Sequence, residues 1–281
     1  MLPISVQICT LNEEKNIRDC ILKVLENEPE EIIVIDGDSV DNTREIATSL
    51  GVKVLNVGRI GLAKQRQIGI ESTSLPFIAI VDADDRIENT CLRTLLTQLN
   101  QYKFKAIQAS VQSLHNLTYW QKAWGLFCSI NINDAGPTNI VGRPALFERL
   151  SILKIGFDPF FTYGSEDTDI SYRFEKSGLS QGIGTGISYR IHPSTFIECK
   201  NKWISYGRGY FRFVFKHNEK EKSILNHLFY NIPIRRSIRT VKNGKVIYIP
   251  FNFLYSFFTI FGFFYEKKLI NSKKILDDYG R

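Results

Sequence analysis

Two short acidic segments carry the chemistry that this sequence can offer. Val81-Asp82-Ala83-Asp84-Asp85 places three carboxylates within four residues at the end of an apolar run. Carboxylates so close repel one another, and a divalent cation such as Mg²⁺ or Mn²⁺ relieves the repulsion while bridging to a diphosphate. The competing reading is a loop that caps the next helix, since Asp is common before helices. Gly164-Ser165-Glu166-Asp167-Thr168-Asp169 is the second segment. There the carboxylates either complement a helix N-terminus or supply a base for an acceptor hydroxyl. Asp36 can accept a hydrogen bond from a nucleobase, Lys64 and Arg66 can meet phosphate oxygens, and a neutral His192 can complete a metal shell. Taken singly, Lys64 and Arg66 also read as a solvated helix face and His192 as a structural residue.

These residues need elements to hold them. Ile4–Cys9 reads as a strand, followed by a helix over Lys15–Glu26 with Ile17, Ile21, Leu22 and Leu25 on one face and Pro29 closing it. Glu31–Asp36 is a nearly continuous apolar strand of the kind buried on both faces of a parallel sheet. A turn at Gly37–Thr43, a helix over Thr43–Leu50, a strand at Val52–Leu55, a helix over Gly61–Glu71 and a strand at Phe77–Asp82 follow. The alternation predicts a doubly wound, mostly parallel α/β sheet with ligands beyond the carboxyl ends of its strands, where Asp36 and Asp82 stand. A strand at Ala106–Val111 and an amphipathic stretch at Leu117–Ile130 come next. Cys9-Thr10-Leu11-Asn12-Glu13 is not a glycine-rich phosphate loop, and no P-loop occurs, which argues against a nicotinamide dehydrogenase or a P-loop NTPase.

Together, Ser5–Asn16, Ile33–Thr43, Gly61–Ile70, Ile78–Arg86 and Gly156–Gly178 resemble, in order and spacing, the inverting family 2 glycosyltransferases of the GT-A fold. The resemblance covers about Ile4 to Phe215. It implies that Thr10, Asn12 and Glu13 line the nucleotide pocket, that Asp36 contacts the base and that Arg66 lies near the donor phosphates. It further implies that Asp84 serves the donor, that Asp85 is the principal metal ligand, that Asp167 of the Glu166-Asp167 pair is the catalytic base, and that His192 is a downstream metal-site histidine. Asp82 and Lys64 are placed with the donor on their positions. Gln67, where the family usually has Asn, and the order Gly37-Asp38 in place of Asp-Gly are departures. The implied reaction is a single metal-assisted displacement from a UDP-, GDP- or dTDP-sugar to a saccharide or lipid-linked hydroxyl, unlike the covalent route of retaining glycosidases. A sugar nucleotidyltransferase would open with a Gly-rich, Arg-containing loop that is absent here. An inactive scaffold subunit would lack the metal or base carboxylates.

The remaining features concern the setting. Of 36 Lys/Arg and 29 Asp/Glu, residues 200–281 hold 17 and 5, which leaves 19 and 24 for residues 1–199. A slightly acidic body thus carries a basic tail. We expect a catalytic domain over 1–215 and a helical, basic and aromatic extension over 216–281. Within the extension Arg235-Arg236-Ser237-Ile238-Arg239 precedes an uncharged run, Ile249–Tyr265, that is rich in Phe and ends before Lys267-Lys268. The run is short for a spanning helix, so an interfacial helix making peripheral membrane contact through 235–268 is the expectation, with a buried core helix as the competing reading. Nucleic-acid binding is not expected, because the Phe residues belong to no recognised binding fold. Five scattered cysteines suit reduced thiols. Met1-Leu2-Pro3-Ile4 lacks a signal-peptide pattern, which points to a cytoplasmic active site, peripheral on the membrane face.

Overall fold

The computed structural model describes residues 1–114, 117–131, 135–162, 164–217 and 233–271. Four parallel strands begin the chain: β1 (Leu2–Thr10), β2 (Pro29–Asp36), β3 (Lys53–Asn56) and β4 (Phe77–Asp82). Then come β5 (Asp85–Ile87), β6 (Ala106–Ser113), β7 (Gly136–Pro137), β8 (Ala145–Glu148) and β9 (Gln181–Arg190). The sheet order is β3-β2-β1-β4-β8-β6-β9-β5, with β7 also paired to β9. The first four strands form the expected parallel half. Beyond β4 the sheet is mixed, since β8 runs antiparallel to both β4 and β6, and β5 antiparallel to β9.

Strand alternation sorts the core onto two faces. Ala79 and Val81 of β4 pack with helices α1 (Ile17–Leu25) and α4 (Cys91–Tyr102). Ile78 and Ile80 of the same strand pack with α3 (Leu62–Glu71), α6 (Arg149–Ile155) and α7 (Glu166–Lys176). The short α2 (Thr43–Ser49) links β2 to β3. The inner face of α1 differs from the expected one. Ile17, Cys20, Ile21 and Val24 are buried, whereas Leu22 and Leu25 are each 43% exposed. At 100° per residue, 17, 20, 21 and 24 form one stripe and 22 and 25 fall outside it. Pro29 does not close this helix. It opens β2, pairing with Leu2, and the turn before it is made by Glu28 in the left-handed region.

The chain divides into two compact units. The sheet unit comprises residues 1–115, 131–159 and 167–191. The second unit comprises 116–130, 160–166 and 192–281, and its described helices are α5 (Tyr119–Asn131), α8 (Phe196–Lys216), α9 (Pro233–Lys242) and α10 (Ile249–Asn271). The parts of the expected extension over 218–232 and 272–281 lie outside the described residues. Thr195 starts α8 with a reciprocal capping box to Glu198. Trp124, Trp203 and Phe251 form the aromatic centre of this unit, with Trp124 and Trp203 stacked at 5.9 Å.

α8 and α10 approach backbone to backbone. A Cβ on Gly207 would lie 1.9 Å from the Thr259 carbonyl oxygen, and one on Gly262 would lie 2.2 Å from that of Ile204. α10 also turns its polar residues inward. Asn252, Ser256, Thr259 and Glu266 are all buried, while Phe253, Phe257, Phe261 and Phe264 are exposed. Glu266 is held by Arg208 at 2.6 Å and Arg212 at 2.7 Å. Among the described residues this helix, with the turn before it, is long and apolar enough to cross a membrane by length and composition. On α9, Ile234, Ile238 and Val241 share an exposed face at helical spacing, beside exposed Arg239 and Lys242.

Candidate active site

β1 ends at Thr10, β2 at Asp36 and β4 at Asp82, so parallel pairing alone brings these three residues to one sheet edge. Asp36 is fully buried and its oxygens are taken by nearby loops. It accepts from Thr10 Oγ1 at 2.9 Å, from the Ser39 amide at 2.9 Å and from Ser39 Oγ at 2.5 Å. Asn12, left-handed at φ 58°, donates its amide to Ser39 Oγ and accepts from the Val40 amide. The Glu13 amide donates to Thr43 Oγ1. Asp36 therefore shapes the loop that carries Thr10, Asn12 and Glu13. Gly37 is explained by Gln65, whose Nε2 donates to the Thr10 and Ile35 carbonyls and would lie 2.6 Å from a Cβ at 37. Asp38 follows in the left-handed region, so the order Gly37-Asp38 answers a packing demand.

The three carboxylates of the expected cluster do converge. One oxygen from each of Asp82, Asp84 and Asp85 lies within 4.8 Å of the others, a hard-oxygen donor set that suits Mg²⁺ or Mn²⁺. Asp82 closes β4 and Asp85 opens β5, with Ala83 and Asp84 between them. Arg66 reaches Asp82 at 2.8 Å from the buried side of α3. Lys64, two residues earlier and so about 200° around the helix, is exposed. The structure thus brings Arg66 to the cluster and leaves Lys64 outside it.

Sequence reasoning missed Arg190. The β5–β9 register sets it opposite Asp85, where Nε lies 2.8 Å from Oδ1 and Nη2 lies 2.7 Å from Oδ2. Nη2 also lies 3.5 Å from Asp82 Oδ2 and donates to the Arg143 carbonyl at 2.9 Å. Arginines therefore already counter much of the repulsion expected among the three carboxylates. Burial would raise the Asp82 pKa, but Arg66, Arg190 and Arg143 together bring it down to about 2. At Asp85 burial outweighs Arg190 and, with Asp84 and Asp82 nearby, pushes the carboxyl up to about 7. Burial works against the charge of Arg190, yet the same carboxylates hold its pKa well above the usual guanidinium value. Burial raises the Glu13 pKa against the hydrogen bond from Asn16, with the charges of Asp84 and Asp82 adding to the rise.

In the second acidic segment, Asp169 is buried and paired with Arg173, whose Nε lies 2.8 Å away. Asp167, half-buried in the first turn of α7, accepts from the Thr168 amide at 2.7 Å. Glu166 is buried. His192 belongs to the second unit, where it is buried with its ring stacked on Trp124 at 6.1 Å and its carbonyl accepting from Gln121 Nε2. Gln67 accepts from the Phe157 amide at 2.7 Å and so anchors the chain after α6.

Residues 5–141 match the family described as Glycosyl transferase family 2, and residues 77–266 match Glycosyl transferase family group 2. The chain belongs to the family 2 glycosyltransferases. The lipopolysaccharide core biosynthesis glycosyltransferase LpsC of Rhizobium meliloti is 32% identical over 103 residues, which cover 35% of this chain and 37% of LpsC. The glycosyltransferase GlyG of Streptococcus pneumoniae is 30% identical over 106 residues, 35% of each chain. The chain therefore spans little more than a third of the length of these curated relatives. Glucosyl-3-phosphoglycerate synthase from Mycobacterium tuberculosis, solved with Mn²⁺, UDP and glucosyl-3-phosphoglycerate, aligns with a TM-score of 0.58 at 17% identity, over 75% of this chain and 78% of that one. TarS 1-349 from S. aureus in complex with UDP-GlcNAc aligns with a TM-score of 0.54 at 14% identity, over 76% and 67%. At such identities the likeness is one of fold, and it matches the mixed α/β architecture of this chain.

Proposed function

We propose that the chain moves a sugar from a nucleotide-sugar donor to a hydroxyl of a saccharide or lipid-linked acceptor, with inversion at the anomeric carbon. The observation that carries this reading is the convergence of Asp82, Asp84 and Asp85 at the sheet edge beside the Thr10–Glu13 loop, in a member of this family. Asp167 is the base in this proposal, being the more exposed member of the Glu166-Asp167 pair. It takes the proton of the acceptor hydroxyl, whose oxygen bonds to the anomeric carbon as the bond to the diphosphate breaks. Asp84 and Asp85 would hold a Mg²⁺ or Mn²⁺ ion. When bound, that ion supplies charge neutralisation for the leaving nucleoside diphosphate. Arg66 fixes Asp82, and the Thr10–Glu13 loop, shaped by Asp36, frames the nucleotide.

A membrane surface as the place of work is part of the same proposal. A soluble helix normally buries apolar residues and exposes polar ones. α10 buries Asn252, Ser256, Thr259 and Glu266 and leaves Phe253, Phe257, Phe261 and Phe264 exposed, although Phe251 and Phe263 are buried, and the exposed aliphatic face of α9 lies beside Arg239 and Lys242. Aromatic and aliphatic side chains entering the lipid boundary, with cations at the headgroups, would account for both faces.

The test is a thermal-shift screen of UDP-, GDP- and dTDP-sugars with and without Mn²⁺, since a ligand that binds the native state raises the melting temperature. One nucleotide class should stabilise the protein in a metal-dependent way. Asp167→Asn should keep that shift and lose transfer. Full transfer by Asp167→Asn would remove the base from the proposal.

A further inference from the structure

The acidic cluster already has a cation spanning it. The Arg190 guanidinium takes both oxygens of Asp85, lies 3.5 Å from an oxygen of Asp82, and lies 3.9 Å from one of Asp84. These are the three carboxylates whose oxygens gather within 4.8 Å. A divalent ion held by these carboxylates would need the same oxygens that the guanidinium contacts. The guanidinium is also fixed from behind, because Nη2 donates to the Arg143 carbonyl. Its partner Asp85 is wholly buried, so the pair is a directed, bidentate contact rather than a passing surface one.

We infer that Arg190 is a built-in competitor for the divalent cation, so that metal enters only as the guanidinium leaves Asp85 and finds another anion. This inference rests on the metal-assisted reading above. Taking apart a buried bidentate pair leaves a guanidinium without its acceptors, which is costly. Diphosphate oxygens of an incoming donor supply equivalent acceptors, because the planar fork fits phosphate as it fits carboxylate. Metal alone therefore binds weakly, and metal with a nucleoside diphosphate binds strongly. A transferase built this way does not hold a metal ion between turnovers.

The test is Mn²⁺ binding to the full chain without nucleotide, followed by the electron paramagnetic resonance signal of free Mn²⁺. Arg190→Gln removes the competing charge while keeping a polar side chain, and Arg190→Lys keeps the charge without the fork. Arg190→Gln should bind Mn²⁺ about ten-fold or more tightly than the wild type, with Arg190→Lys between them. The Mn²⁺-induced rise in melting temperature should increase in the same order. Equal or weaker binding by Arg190→Gln overturns the competition while leaving the metal reading in place. No Mn²⁺ binding by any of the three proteins, with or without UDP, overturns both. Should Arg190→Gln not fold, the wild type decides through the Arg190 Nε–H signal in ¹⁵N spectra. Saturating Mg²⁺ with UDP should shift that signal and expose it to exchange, and an unchanged signal overturns the inference.

Discussion

Gly207→Ala in α8 sets two physical effects of opposite sign against each other. In an exposed helix interior, replacing Gly by Ala stabilises by roughly 0.8–1.0 kcal/mol, because Gly loses more backbone freedom on folding. At 207, however, the new methyl would stand 1.9 Å from the Thr259 carbonyl oxygen, 2.8 Å from the Phe263 amide nitrogen and 2.9 Å from the Thr259 carbonyl carbon. All three neighbours are backbone, so no rotamer change relieves the clash. Restoring an ordinary 3.4 Å contact requires α8 and α10 to separate locally by about 1.5 Å, the difference between 3.4 and 1.9. Overpacking costs about 1–3 kcal/mol, and a contact that only backbone movement relieves belongs at the upper end. Subtracting about 1 kcal/mol of helix propensity leaves a net destabilisation of about 2 kcal/mol. Urea unfolding followed by tryptophan fluorescence reads this directly, since all three Trp residues, Trp120, Trp124 and Trp203, lie in the same unit. Asn201→Ala, at an exposed position of the same helix, is the control and should stay within about 0.5 kcal/mol of wild type. A Gly207→Ala protein as stable as the wild type, or more so, would refute the close approach of the two helices.

Two further outcomes follow from the same unit. Glu266→Ala leaves Arg208 and Arg212 without the carboxylate they share, and should cost about 3–5 kcal/mol in urea unfolding, as breaking a buried pair does. A loss under about 1 kcal/mol would mean that Glu266 is hydrated rather than buried in the helix contact. Phe257→Glu with Phe261→Glu changes only exposed positions, so stability should hold while sedimentation with anionic liposomes falls about ten-fold or more. Unchanged sedimentation would rule out this face as the lipid contact.

The sheet edge was legible in the sequence because its signals are local. Continuous apolar runs mark β2 and β4, and parallel pairing then carries Asp36 and Asp82 to one edge without further information. Arg190 was not legible. It is one of 36 Lys/Arg, and its meaning comes from a β5–β9 register that joins residues 105 positions apart. Leu22 and Leu25 are apolar yet stand off the buried stripe, which Cys20 and Val24 complete with Ile17 and Ile21. Lys64 and Arg66 share a charge but stand two residues apart, about 200° around the helix, so one is exposed and the other buried. In α10 the uncharged, Phe-rich run hid a signal that was present, namely the spacing of Asn252, Ser256, Thr259 and Glu266 along one face.

That polar stripe also separates two accounts of α10 that length cannot. Its 23 residues make a rod of about 34 Å at 1.5 Å per residue, enough to cross a bilayer. A helix crossing with lipid on every side would present Asn252 and Glu266 to hydrocarbon, where an unsatisfied polar group costs several kcal/mol. Instead the Asn252 side chain donates to Thr240 Oγ1 at 3.0 Å, Ser256 and Thr259 donate to carbonyls one turn back, and Glu266 holds two arginines of α8. Every polar group on that face has a partner from the protein, and the backbone contacts at Gly207 and Gly262 leave no room for lipid between the helices. Only the Phe253, Phe257, Phe261 and Phe264 side is left for a membrane, which favours a helix lying against lipid with one face over a helix immersed on all sides.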